Sequence, residues 1–205
     1  MKKFYLLLFI ILGFNLSSYS QKRISFGVKV AATDGFVSSY FYQPHVKPGY
    51  SVGALAEVKL AGPLSVRAEA LFSSRGVKDK VTITDAAGRP YASGYDKVTL
   101  NYFDLPVMAK LSFGKVVKPY FTAGAKGSLY LFGKETFPSI SGSGTTTNRI
   151  NPTKYDISAI GGFGLDFNIK ALTLFTELRY NHGLVGVNLV NTKFRMFELS
   201  GGIRF

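Results

Sequence analysis

Eight stretches of the chain place an apolar side chain at every second residue, the period of a strand with one greasy face and one polar face. They run over residues 24–32, 50–60, 64–72, 103–113, 121–131, 155–167, 172–180 and 197–205. The apolar parity of these stretches holds 45 residues and no charge, and only Thr176 among them is neither apolar, aromatic nor glycine. The other parity carries Arg23, Lys29, Lys59, Arg67, Arg75, Lys110, Lys126, Arg179 and Arg204 against Glu57, Glu69, Asp104, Asp156, Asp166, Glu177 and Glu198. Nine cations against seven anions is close to balance. That is what a confined space requires, because an unpaired charge there is costly. Small residues share this face, including Gly27, Gly53, Gly124, Gly162, Gly164 and Gly202.

Two barrels fit such an alternation. A soluble lipocalin-like binding barrel turns its apolar face inward, and a membrane barrel turns it out. An eight-stranded barrel has an interior just filled by ordinary side chains, and the many Phe and Tyr of the apolar set would overpack it. The connectors argue the same way. They alternate long and short: 33–49, 61–63, 76–97, 114–118, 132–153, 168–171 and 183–195. Long loops outside and short periplasmic turns, with both ends of an even-stranded chain on the periplasmic side, are the outer-membrane pattern. Closure follows from the solvent, since hydrocarbon tolerates no unpaired sheet edge.

The first 20 residues change the picture further. Lys2 and Lys3 precede an apolar run from Phe4 to Phe14, and Ser18, Tyr19 and Ser20 close it. This reads as a cleavable signal peptide, with a run too short to span a membrane. The expected organisation is therefore a signal peptide over 1–20 and one barrel domain over 21–205. The 205-residue chain has no cysteine, so a disulfide framework, a thiolate site and a lipid-anchored lipoprotein are all excluded.

The fourth stretch carries a family resemblance. Tyr102-Phe103-Asp104-Leu105-Pro106-Val107-Met108-Ala109-Lys110 resembles a strand of the small Bacteroidetes-type outer-membrane β-barrel proteins, PorT-like or porin-family. Pro119-Tyr120-Phe121 with Gly124, Arg179-Tyr180 with Gly183-Leu184, and the ending Gly202-Ile203-Arg204-Phe205 extend it. The resemblance implies an all-β, antiparallel, up-and-down transmembrane barrel of eight strands, OmpA/OmpX-like in size, in the outer membrane of a Gram-negative cell. It also implies that Phe197, Leu199, Gly201, Ile203 and Phe205 form the carboxy-terminal signal read by the barrel-assembly machinery. Pro106 has no N–H for the ladder, and a bulge beside Asp104 is expected to absorb it.

Catalytic chemistry is scarce. Gly161-Gly162-Phe163-Gly164 lacks dinucleotide spacing. His182 beside Asn181 is the one conceivable base, which keeps a lipid-modifying enzyme as an alternative. Eight strands leave no water-filled bore. Glu57, Lys59, Arg67, Glu69, Asp104, Lys110, Lys126, Asp156, Asp166, Glu177, Arg179, Glu198 and Arg204 are expected to form a lumen charge network with a structural role. No cofactor is expected.

The formal charge of +13 needs a partner, and an exported barrel does not meet nucleic acid. Anionic lipid and lipopolysaccharide are the available polyanions, with Lys78, Lys80, Arg89 and Lys97 as contacts. The aromatic segment 40–50 is a candidate contact for a protein partner, and Ser139–Asn148 reads as a loop tip. The expected function is non-enzymatic: structure, anchoring or surface interaction through extracellular loops. A PorT-like part in type IX secretion remains the alternative within the family.

Overall fold

Backbone pairing follows the alternation. In the computed structural model, nine strands form one antiparallel sheet: β1 (Ile24–Ser38), β2 (His45–Ala61), β3 (Leu64–Thr84), β4 (Pro90–Ser112), β5 (Val117–Pro138), β6 (Thr145–Arg149), β7 (Tyr155–Ile169), β8 (Leu172–Gly183) and β9 (Lys193–Arg204). The structure describes residues 24–38, 45–84, 87, 89–138, 145–150, 154–169, 171–185 and 193–205. The signal segment 1–20, Arg23, residues 40–44 of the aromatic segment and residues 139–144 of the Ser/Gly/Thr stretch lie outside them.

Each strand pairs with its sequence neighbour, and β1 pairs with β9, which closes the sheet on itself. Both β6 and β7 pair with β5, the first along its upper part and the second along its lower part. They occupy one position around the wall, so the barrel has eight positions. Closure reaches the last residue: Phe26 and Phe205 exchange backbone N–H···O bonds of 3.0 and 2.8 Å. The short turns suit their residues, with Gly62 and Gly114 at φ of +53° and +96°, a region other side chains avoid.

The apolar parity faces outward along the whole wall; Val30, Val107, Phe121 and Leu199 are all more than half exposed. None of its 45 positions is buried. The largest fully buried side chains include Arg67, Arg179, Tyr102, Tyr120, Lys29 and Lys110, so the core of this molecule is largely ionic and aromatic.

Two expectations need correction. Three of the four long connectors, 33–49, 76–97 and 132–153, are largely strand, not loop. β3, β4 and β5 run 21, 23 and 22 residues, and the 76–97 connector is a hairpin rising from the barrel. The apolar pattern stops where lipid stops, but cross-strand hydrogen bonds need no greasy outer face once the strand is in water. Pro106, secondly, causes no bulge. The β3–β4 ladder skips Leu105 and Pro106 yet keeps one register from Ala68↔Val107 to Leu71↔Asp104, and Pro106 stays paired with Lys126 of β5. The missing donor is absorbed as a gap in one seam. The irregularity of β4 falls instead at Asn101/Tyr102, against β5.

Candidate functional site

Alternation sends every second side chain of the wall into the lumen, and the charges there meet across the barrel. Near the short-turn end Arg67 donates through Nε and Nη2 to Glu57 at 3.1 and 2.9 Å, and through Nη1 to Glu177 at 2.8 Å. Lys110 donates to Asp166 at 2.6 Å and to Glu57 at 3.3 Å. Arg204 reaches Asp166 at 2.9 Å and also bonds Glu57.

In the middle, Arg179 clasps Glu69 with two bonds of 2.9 and 2.8 Å and reaches Glu177 with its Nε at 2.8 Å. Such a fork-to-carboxylate clasp is the strong form of the interaction. Lys29 joins Glu69 at 3.2 Å and Glu198 at 2.6 Å. A looser group lies above: Arg75 with Asp104 at 3.4 Å and Asp156 at 3.6 Å, and Lys126 with Asp104 at 3.8 Å.

Lys59 does not belong to this set. It is exposed at the end of β2, still paired with Ser65 of β3, and lines the open mouth at the short-turn end without an ion pair among the described residues. Lys59 apart, the ion-paired set of the described lumen holds seven cations (Lys29, Arg67, Arg75, Lys110, Lys126, Arg179, Arg204) and seven anions (Glu57, Glu69, Asp104, Asp156, Asp166, Glu177, Glu198).

The sequence reading overlooked the large side chains that share this face. Tyr120, Phe175, Met108 and Leu71 are buried inside, each directly opposite a glycine of the next strand: Gly164, Gly202, Gly124 and Gly53. A Cβ on Gly164 would stand 2.5 Å from the Tyr120 hydroxyl, and one on Gly202 2.6 Å from Cε1 of the Phe175 ring. These rings also hold the cations. Arg67 lies 5.3 Å from the Tyr120 centroid and 5.1 Å from that of Phe175, and Lys110 sits 3.9 Å over Tyr120. The signal was available, since every lumen glycine invites the question of what fills the space opposite.

Above the charges, Leu100, Tyr102 and Met196 pack with Val98, Tyr130 and Ile150. A space of about 10 Å³ lies in the upper lumen, between Ser51, Asp104 and Glu198, enough for about one water. A larger cavity of about 550 Å³ opens at the short-turn end, lined by Glu57, Lys59, Lys118, Asp166, Asn168 and Arg204 among others. Arg67, Glu69, Glu177 and Arg179, none more than 3% exposed, fill the section between the two.

Elsewhere the predicted positions are simple to place. Phe197, Leu199, Ile203 and Phe205 face outward from the last strand, with Gly201 on the same parity. His182 lies near the upper end of β8, 3.4 Å from the Tyr180 hydroxyl and opposite Ala159 and Arg195. Among the described residues, neither a serine nor a carboxylate joins it to make a triad. Among the described residues no three His, Asp or Glu gather as metal ligands.

Solved structures similar to this chain include the outer membrane protein OprG of Pseudomonas aeruginosa, 11% identical, with 90% of this chain and 95% of that one covered and a TM-score of 0.56. Neisserial surface protein A is 19% identical with 87% and 95% covered at a TM-score of 0.49, and the Yersinia pestis attachment invasion locus protein Ail is 14% identical with 89% and 99% covered at 0.47. At these identities the likeness concerns fold. No curated protein matches the chain. Residues 5–187 match the outer membrane protein beta-barrel domain family, and with its closed eight-position wall, apolar exterior and ionic interior, the chain belongs to that family and resides in the outer membrane.

Proposed function

We propose that the protein is a non-enzymatic anchor, a plugged barrel that holds extracellular β-hairpins at the cell surface for interaction. The observation that supports this best is the filled lumen. The section occupied by Arg67, Glu69, Glu177 and Arg179 offers substrate and solute no path, so the part left to make specific contacts is what stands above the membrane. The β3–β4 hairpin is the longest such element.

The absence of cysteine makes a direct test possible. A single cysteine from Ala87→Cys at the hairpin tip is expected to react with a membrane-impermeant thiol reagent on intact cells, and one from Gly62→Cys only after the outer membrane is opened. Purified protein in a planar bilayer is expected to give no stepwise conductance. Labelling of Gly62→Cys on intact cells, or steady single-channel steps, would overturn the reading.

Within the family we place the chain with the Bacteroidetes-type, PorT-like barrels on the Tyr102–Lys110 strand, whose Asp104 and Lys110 both face the lumen. Residues 1–20 are removed on export, and the outward face of β9 is the segment the assembly machinery reads. Deletion of the gene and assay of carboxy-terminally tagged cargo tests the link to type IX secretion; normal export breaks it.

A further inference from the structure

Above the apolar belt the alternation changes its content. In β3 the neighbours Lys78 and Asp79, in β4 Lys97 and Asp96, and in β5 Lys134 and Glu135 split by parity. Lys78 and Lys97 share the parity that lower down carries Phe72 and Phe103, which is the outward one, and in β5 the irregularity between Tyr130 and Phe132 shifts the parity by one, so that Lys134 falls with the exposed Phe132; the acidic residues fall on the other face. Register then stacks the cations. Lys78 is directly opposite Lys97, and Lys134 directly opposite Arg149 of β6.

Like charges at opposed positions destabilise a sheet, and nothing in the fold calls for two such pairs side by side. Lys97, Lys134 and Arg149 are exposed, and no carboxylate lies within ion-pair distance of them among the described residues. Lys78 is steadied by the Tyr95 ring, 4.0 Å away, a contact that leaves its charge unneutralised. Thr99, beside Lys134, and the Thr136–Thr147 pair, beside Lys97, add hydroxyls between the cations.

Position decides the partner. Lys134 stands two residues, about 7 Å, beyond Phe132, which is 60% exposed at the top of the apolar belt. A ligand seated here has acyl chains level with Leu129, Leu131 and Phe132 and an anionic headgroup level with Lys134 and Arg149. We propose that the outward face of β3–β6 is a binding site for a phosphorylated saccharide lipid of the outer leaflet, the lipopolysaccharide class. Its phosphates sit between the opposed cations, and its sugar hydroxyls meet the threonines. The patch spans three inter-strand gaps, about 14 Å, wide enough for more than one phosphate. Charge-assisted bonds to phosphate relieve the Lys–Lys and Lys–Arg repulsion, so the two pairs become favourable only with the lipid bound. The proposal rests on the outer-membrane placement and not on the anchoring reading, so either can fail alone.

The test uses the full mature chain folded in zwitterionic micelles and titrated calorimetrically with bis-phosphorylated lipid A. The triple variant Lys97→Gln/Lys134→Gln/Arg149→Gln is expected to weaken binding about tenfold or more, and the short-turn control Lys59→Gln/Lys115→Gln to leave it within about twofold. Lipid A stripped of phosphate is expected to bind the parent at least about tenfold more weakly. Heat-modifiable gel mobility checks that each variant is folded. Equal binding of parent and triple variant, or of phosphorylated and stripped lipid, overturns the proposal. Phosphatidylglycerol binding as tightly as lipid A overturns the saccharide assignment and leaves a general anionic-lipid surface.

Discussion

The lumen and the outer face of the β3–β6 extension use the same residue types to opposite ends. Inside, seven cations and seven anions are packed among rings, and Arg179 alone contacts Glu69, Glu177 and Glu198. Outside, Lys97, Lys134 and Arg149 are exposed, with no carboxylate at ion-pair distance among the described residues. The difference follows from the solvent. A charge in a dry interior must bring its partner or forfeit several kcal/mol, whereas a surface charge is screened within about 8 Å at physiological salt and can wait for a ligand. Interior charges therefore hold the fold, and those above the membrane remain available for recognition.

The comparison breaks most visibly at Arg179. Arg179→Met leaves Glu69 and Glu177 buried without their clasp and is expected to lower unfolding stability by about 3–5 kcal/mol, measured by urea titration in micelles. A loss close to zero would mean that the interior is wet and its pairs ornamental. Next comes the reverse move, placing a charge where lipid lies. Val107→Arg, on the outward face of β4, is expected to cost about 2–4 kcal/mol in lipid vesicles, and the same change costing nothing would place that face in water. Gly202→Val sets a side chain against the Phe175 ring and is expected to cost about 1–3 kcal/mol. The smallest effect is on the surface. Lys97→Gln is expected to leave the unfolding midpoint unchanged or slightly raised in lipid-free micelles, because it removes one half of an opposed like-charge pair.

Much of this architecture could be read from the chain because hydrocarbon enforces a strict rule. From Phe103 to Phe113 each outward residue must be apolar, so both the stretch and its facing are visible in the letters. Above the lipid the rule lapses, and the upper lengths of β3, β4 and β5 looked like loops. Parity alone puts Lys59 with the buried charges, because it counts residues but not how close a strand end stands to the open mouth. Pro106 was expected to force a bulge, yet the β3 seam absorbs it with a gap, an outcome that depends on how firmly the pairs on either side hold register. The aromatic–glycine pairs were missed for a different reason. Tyr120 and Gly164 are 44 positions apart, and only the β5–β7 register makes them neighbours.

The final strand also bears on how the molecule comes together. Glu198 and Arg204 ride on β9, and their partners Lys29, Glu57 and Asp166 are carried by β1, β2 and β7. Until β9 docks beside Ile24–Ser38, each of those three groups lacks one of its counter-ions, keeping only Glu69, Arg67 with Lys110, and Lys110 respectively, and two sheet edges stand open. β9 therefore works as a latch. A nascent chain cut short by even this one segment has every other strand in hand and still cannot shut.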